Sequence, residues 1–256
     1  MVEGGGSALA GRCEAGRGRL HSGRLPMIRV AVAQPTTVLG AVAENVAAHA
    51  AVVQRAASDL VVFPEMSLTG YGMGVPAIAV DDPRLVPLVS ACRDAGAVAL
   101  AGAPVRTAAG GRGIGVLAVS GDGVGVAYIK MSLGETEARY FEIGRAPAAI
   151  EVKGRRVGIG VCKDTRIEDH LERTAAQDID LYVAGLVHTP DELGELDARA
   201  RRIATTYKVP VAFAGFAGPT GGGFVQTCGG SGIWDSMGRA IQQLGDEPDA
   251  LASVEL

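Results

Sequence analysis

Val157-Gly158-Ile159-Gly160-Val161-Cys162-Lys163-Asp164-Thr165-Arg166-Ile167-Glu168-Asp169-His170 changes character at its middle. An apolar run, 157–161, leads into Cys162, and a polar, acidic stretch follows from Lys163 to Glu172. A short apolar run closed by turn-forming residues reads as a buried strand. Here that strand hands a thiol to a strand–turn–helix junction, where a small substrate can reach it.

Working outward, residues 148–152 and 156–161 flank a turn at Lys153-Gly154-Arg155 and read as a hairpin. A helix over 169–177, a strand at 181–184, a helix over 196–207 and a strand at 211–216 follow. Residues 230–234 and 240–244 flank a hairpin at 235–238, read as the last strand before the chain ends at Leu256. The glycine-rich piece 218–223 reads as a flexible loop. Toward the N-terminus the pattern gives a strand at 28–33, a helix over 45–57, a strand at 60–63, a helix over 85–95 stopped by Gly96, and a strand at 98–103. Residues 113–120 and 124–130 flank Gly121-Asp122-Gly123, a hairpin signal because glycine and aspartate tolerate positive φ. Strands alternate with helices, yet several neighbours are hairpins. That predicts an α/β fold of mixed sheets, two of them packed face to face under helical layers.

With 256 residues, 48% of them hydrophobic, the chain can build one large domain. A net charge of −4 argues against a nucleic-acid or anionic-membrane surface, and 4% aromatic residues leave few platforms for base stacking. No apolar run reaches the roughly 20 residues that span a bilayer. Cys13, Cys92, Cys162 and Cys228 are far apart and form no C-x-x-C pair, so a reducing cytoplasm is expected rather than a disulfide framework. His21, His49, His170 and His188 show no metal-ligand spacing, and no nucleotide-binding glycine motif is present, so neither metal nor cofactor is expected. Residues 1–26 are rich in Gly, Ser and Arg without periodicity and read as a disordered tail ahead of a single domain at 27–256.

Two further stretches can hold chemistry. Val61-Val62-Phe63-Pro64-Glu65 places a carboxylate at a strand end, where partial desolvation would make it a base. Tyr128-Ile129-Lys130-Met131-Ser132-Leu133 places a lysine at another strand end, with Glu135, Glu137, Tyr140, Phe141 and Gly144 downstream. Each alone fits a plainer reading: a solvated loop glutamate, a strand-edge lysine, an inert core cysteine.

Their order, however, resembles the nitrilase superfamily of carbon–nitrogen hydrolases. That family reads F-P-E, then Y-x-K-x-x-L with a glutamate and Phe–Gly downstream, then G-x-x-x-C-x-D. This chain supplies Phe63-Pro64-Glu65, Tyr128-x-Lys130-x-x-Leu133 with Glu137, Phe141 and Gly144, and 158–164. A later stretch, Gly230-Ser231-Gly232-Ile233-Trp234-Asp235 to Gly238, also matches. The resemblance implies a four-layer αββα sandwich, a Glu65–Lys130–Cys162 catalytic triad with Glu137 as a second glutamate, and a homodimer or larger assembly. The backbone N–H of Lys163 is the expected oxyanion donor, and Tyr71, Arg166 and His188 are candidates for the substrate pocket.

The match departs at several positions. Ser132 stands where the family often has histidine, Lys163 where an aromatic residue is frequent, and Glu168-Asp169 where Pro-Glu is common. Lys163 is either a cation for an acidic substrate or a charge facing solvent. Cys162-Lys163-Asp164 is closer to the C-x-D of amide hydrolases than to the C-W-E of nitrilases. The expected reaction is therefore hydrolysis of a small linear amide. A nitrilase, an N-carbamoyl amide hydrolase and a catalytically silent binding protein are the alternatives.

Overall fold

In a computed structural model, residues 26–256 are described. The expectation of a disordered tail concerns residues that, except for Pro26, lie outside the described ones, as do Cys13 and His21.

In chain order the first half runs β1 (Arg29–Ala33), α1 (Val42–Ala56), β2 (Leu60–Val62), α2 (Val86–Ala95), β3 (Val98–Arg106), β4 (Arg112–Ser120) and β5 (Gly123–Ile129). The second half runs β6 (Ala148–Val152), β7 (Arg155–Val161), α3 (Glu168–Ala175), β8 (Leu181–Gly185), α4 (Leu193–Tyr207), β9 (Val211–Ala214), β10 (Gly232–Trp234), β11 (Ala240–Gln243) and β12 (Leu251–Glu255). They build two six-stranded sheets, ordered β12-β1-β2-β3-β4-β5 and β11-β10-β9-β8-β7-β6. Each has three parallel strands at its heart, β1–β3 and β7–β9, and antiparallel partners outside them.

Strand alternation explains the layering. On β1, Val30 and Val32 enter a core shared with Val157, Ile159 and Val183 of the other sheet, whereas Ala31 and Ala33 face α1 and α2. Successive side chains point to opposite faces, so one strand feeds two cores. On the other sheet Tyr182, Phe213 and Trp234 pack beneath Leu196, Ala200 and Ile203 of α4. Three apolar layers thus separate four structural layers, the αββα sandwich anticipated from the sequence. Gly96 ends α2 at φ 62°, its N–H donating to the Arg93 carbonyl.

The structure revises the reading of the C-terminus. The chain does not end on the hairpin at 240–244. β12 crosses to the first sheet and pairs antiparallel with β1, Leu251 opposite Ala33 and Glu255 opposite Arg29. Its five residues carry little strand signal of their own, and the partner lies more than 200 residues upstream. The glycine-rich piece forms a tight turn: Thr220 donates to the Phe224 carbonyl, Phe224 donates to that of Gly221, and Tyr71 donates to that of Thr220.

Candidate active site

Three strand ends converge. After β2 the chain turns at Phe63-Pro64-Glu65, and glycines from both sheets clasp this turn. A Cβ on Gly102 of β3 would lie 2.6 Å from the Pro64 carbonyl oxygen, and one on Gly185 of β8 would lie 2.7 Å from that of Phe63. Only side-chain-free positions let the two sheets close on it. Glu65 is consequently 1% exposed.

Lys130, just past β5, is equally buried. Its Nζ lies 2.7 Å from Glu65 Oε1, 2.7 Å from Glu137 Oε1 and 2.9 Å from Glu137 Oε2. Glu137 also accepts from the Gly134 N–H at 2.6 Å and from the Tyr71 hydroxyl. Glu65 Oε2, by contrast, is buried without a hydrogen-bond partner.

This asymmetry separates the two carboxylates. Burial pushes Glu65 up to about 7; Lys130 opposes the shift and Glu137 adds to it. Glu137 is pushed up by burial as well, but Lys130, Tyr71 and the Gly134 N–H hold it below its ordinary value. For Lys130, burial alone would favour the neutral amine, yet Glu65, Cys162 and Glu137 overcome it and raise its pKa. The lysine therefore stays a cation, Glu137 stays its anion, and Glu65 is poised to exchange a proton near neutrality.

Cys162 follows β7 and opens a short 3-10 turn over Cys162–Arg166. Gly158 and Gly160 leave no Cβ on this strand where Thr174 of α3 and the Tyr182 ring press against it. Cys162 is half-buried and adopts φ +41°, a left-handed conformation that costs a non-glycine residue on the order of 1–2 kcal/mol. Its Sγ lies 3.7 Å from the Val187 carbonyl oxygen. Burial and then the Glu65 charge push the thiol up to about 12, with Lys130 opposing. The resting thiol thus keeps its proton.

Asp164, two residues on, ties this turn to the lysine strand. Its carboxylate accepts from the Tyr128 hydroxyl at 2.8 Å, the Ser132 N–H at 2.8 Å and the Val161 N–H at 3.1 Å. Sequence reasoning assigned it no role; the aspartate of the C-x-D pattern was the available signal.

The remaining candidates divide. Tyr71 joins the cluster through Glu137 and meets Phe224 edge-on, ring centroids 5.1 Å apart. The Lys163 ammonium is exposed and donates to the Leu133 carbonyl at 2.7 Å. Arg166 is exposed and pairs with Glu192 at 2.9 Å and Glu195 at 3.5 Å. His188 is buried, its Nε2 3.2 Å from Arg199 Nη1. A cleft of about 960 Å³ runs between edge strands β5 and β6, but its walls include none of Glu65, Lys130, Glu137 or Cys162. Among the described residues no group of three or more His, Cys, Asp or Glu is placed to hold a metal ion, and no helix is long and apolar enough to cross a membrane.

Comparison with known proteins gives the family and the fold. A family model for carbon–nitrogen hydrolases matches residues 29–256. Hydrolase MT0498 of Mycobacterium tuberculosis is 30% identical over 249 residues, with 88% of each chain covered. Among solved structures, XC1258 of Xanthomonas campestris, a CN-hydrolase superfamily protein, shares the fold at TM-score 0.82 and 21% identity over 91% of each chain. An amidase from Nesterenkonia sp. superposes at TM-score 0.78 with 26% identity over 90% of each chain.

Proposed function

Because the chain belongs to the carbon–nitrogen hydrolase family, we propose that it hydrolyses a small linear amide to a carboxylic acid and ammonia through a thioester on Cys162. The observation that carries this reading is the Lys130 ammonium held at 2.7 Å between two buried carboxylates, one of which keeps a free oxygen.

In this reading Glu65 Oε2 takes the Cys162 proton as sulfur attacks the amide carbon. A thiol that is neutral at rest needs such a base at the moment of attack, not a preformed thiolate. A C–S bond forms and the carbonyl oxygen becomes an oxyanion, which accepts from Lys130 Nζ and the Lys163 N–H. The first N–H groups of a helical turn have no intrahelical partner, which suits the Lys163 N–H to the role. Glu65 returns its proton to the leaving nitrogen, the C–N bond breaks and ammonia departs. Water then attacks the thioester, Glu65 takes its proton, the C–S bond breaks, and the thiol is restored as the acid leaves. Glu137 keeps Lys130 charged throughout. Loss of either oxyanion donor is expected to cost about 10²–10³ in rate.

Ammonia release from a panel of small amides, with Cys162→Ala as control, tests the reading. Mass spectrometry of quenched reactions should find the acyl group on Cys162. Turnover of nitriles or N-carbamoyl compounds in place of amides would reassign the substrate. No turnover and no adduct would leave a binding protein.

A further inference from the structure

α4 contributes a buried cation that this mechanism does not use. Arg199 is 4% exposed, and its guanidinium donates to Thr165 Oγ1 at 3.1 Å, His188 Nε2 at 3.2 Å and Glu195 Oε1 at 3.1 Å. Two of these acceptors sit on the segments that hold the cysteine. Thr165 Oγ1 donates to the Cys162 carbonyl at 2.6 Å. His188 follows Val187, whose carbonyl faces Cys162 Sγ. A guanidinium only donates, so His188 Nε2 is the acceptor and its proton sits on Nδ1, which is buried without a partner. Burial, then the Arg199 charge, depress His188 to about 4; Arg166 also lowers it, while Glu192 and Glu195 oppose. The imidazole is therefore a neutral acceptor throughout the neutral and alkaline range.

A left-handed cysteine persists only where its surroundings over-determine it. We infer that Arg199 is a positioning residue for the nucleophile: its Nη1, donating to both Thr165 Oγ1 and His188 Nε2, joins the Cys162–Thr165 turn to the Val187–His188 segment and so holds Cys162 in its left-handed conformation. Glu195 holds Nη2 and so fixes the guanidinium plane that aims both Nη1 hydrogens; a lysine, a point charge on a flexible stem, lacks that fixed geometry. Arg199 and Cys162 also interact electrostatically, so the same cation favours negative charge on the sulfur as its proton leaves. The inference rests on Cys162 being the nucleophile proposed above.

The test uses the full chain and three variants, Thr165→Val, Arg199→Lys and Arg199→Gln. Two quantities are measured: kcat and KM for the best amide, and iodoacetamide alkylation of Cys162 relative to Cys92 and Cys228 from pH 6 to 10. Thr165→Val and Arg199→Lys are expected to lower kcat at least about tenfold with KM within about twofold, because a sub-ångström misplacement of a nucleophile acts on the chemical step. Arg199→Gln should add a slowing of Cys162 alkylation across this pH range that Arg199→Lys lacks. Circular dichroism supplies the folded fraction. If Arg199→Gln does not fold, Thr165→Val, which leaves the cation and its pairing with Glu195 in place, decides. Wild-type kcat and alkylation in Thr165→Val and Arg199→Lys would overturn the inference, as would losses no larger than the loss of folded protein. Alkylation of wild-type Cys162 no faster than of Cys92 and Cys228 would instead defeat the nucleophile reading, and this inference with it.

Discussion

Lys130 is the residue on which the site balances. Its Nζ lies between two buried carboxylates, and removing it strands both. Replacing Lys130 with methionine should cost about 3–5 kcal/mol of stability at pH 8, because breaking a buried pair leaves uncompensated charge. The deficit should shrink at pH 5, where the carboxylates neutralise themselves by protonation; urea unfolding at both values measures it. Glu65 carries a second prediction. With its folded pKa near 7 against an ordinary 4.5, the folded state retains a proton that the unfolded state has released between those values. Its contribution to stability therefore falls as pH rises from about 4.5 to 7, whereas activity rises through about 7 as the base becomes available. Glu65→Gln should abolish turnover and flatten that limb of the stability curve. The sequence singled out Glu65, Lys130 and Cys162, but each was ambiguous until placed beside the others. Asp164 stood in plain view in the quoted stretch, yet its partners Tyr128 and Ser132 lie 36 and 32 residues away, so nothing local declared its task.

At the scale of elements, the site is made by strand ends and kept in place by glycines. Gly102→Ala and Gly185→Ala would each drive a methyl group into the Phe63–Met66 turn, from opposite sheets. Overpacking of this kind costs about 1–3 kcal/mol. Displacement of Glu65 should lower kcat/KM by at least about tenfold. Gly125→Ala on β5 is the control, since a Cβ there meets nothing within 4 Å, and its effect should stay within about 0.5 kcal/mol. Thermal unfolding and steady-state kinetics of the three variants check this. The sequence revealed most elements through their apolar runs and their Gly, Pro and Asp boundaries. It missed the extent of β3, read to residue 103 but running to Arg106, because that strand's end is defined by its ladder with β4. Propensity sees a strand's own residues and not its partner's.

For the molecule as a whole, closure depends on the last residues. β12 covers the edge of β1, and Ile28 and Leu256 exchange both backbone hydrogen bonds. Gln34 reaches the same region, donating to the carbonyls of Gly245 and Glu247. Removing residues 250–256 should bare the edge of the first sheet, lower the unfolding temperature and promote association through the exposed strand. Differential scanning calorimetry with light scattering would register both, and an unchanged melting temperature with no association would refute the role given to β12. By itself the sequence determined that this is a mixed α/β protein of the carbon–nitrogen hydrolase kind and which three residues to watch, because period-2 burial, turn chemistry and motif order are local properties of a chain. Only the tertiary structure decided that one lysine would hold two carboxylates apart in pKa, that the thiol would be neutral at rest, that Asp164 and Arg199 would brace it, and that the C-terminus would close the first sheet. Those outcomes depend on desolvation and on hydrogen bonds between residues far apart in sequence, and both exist only once the sheets have packed.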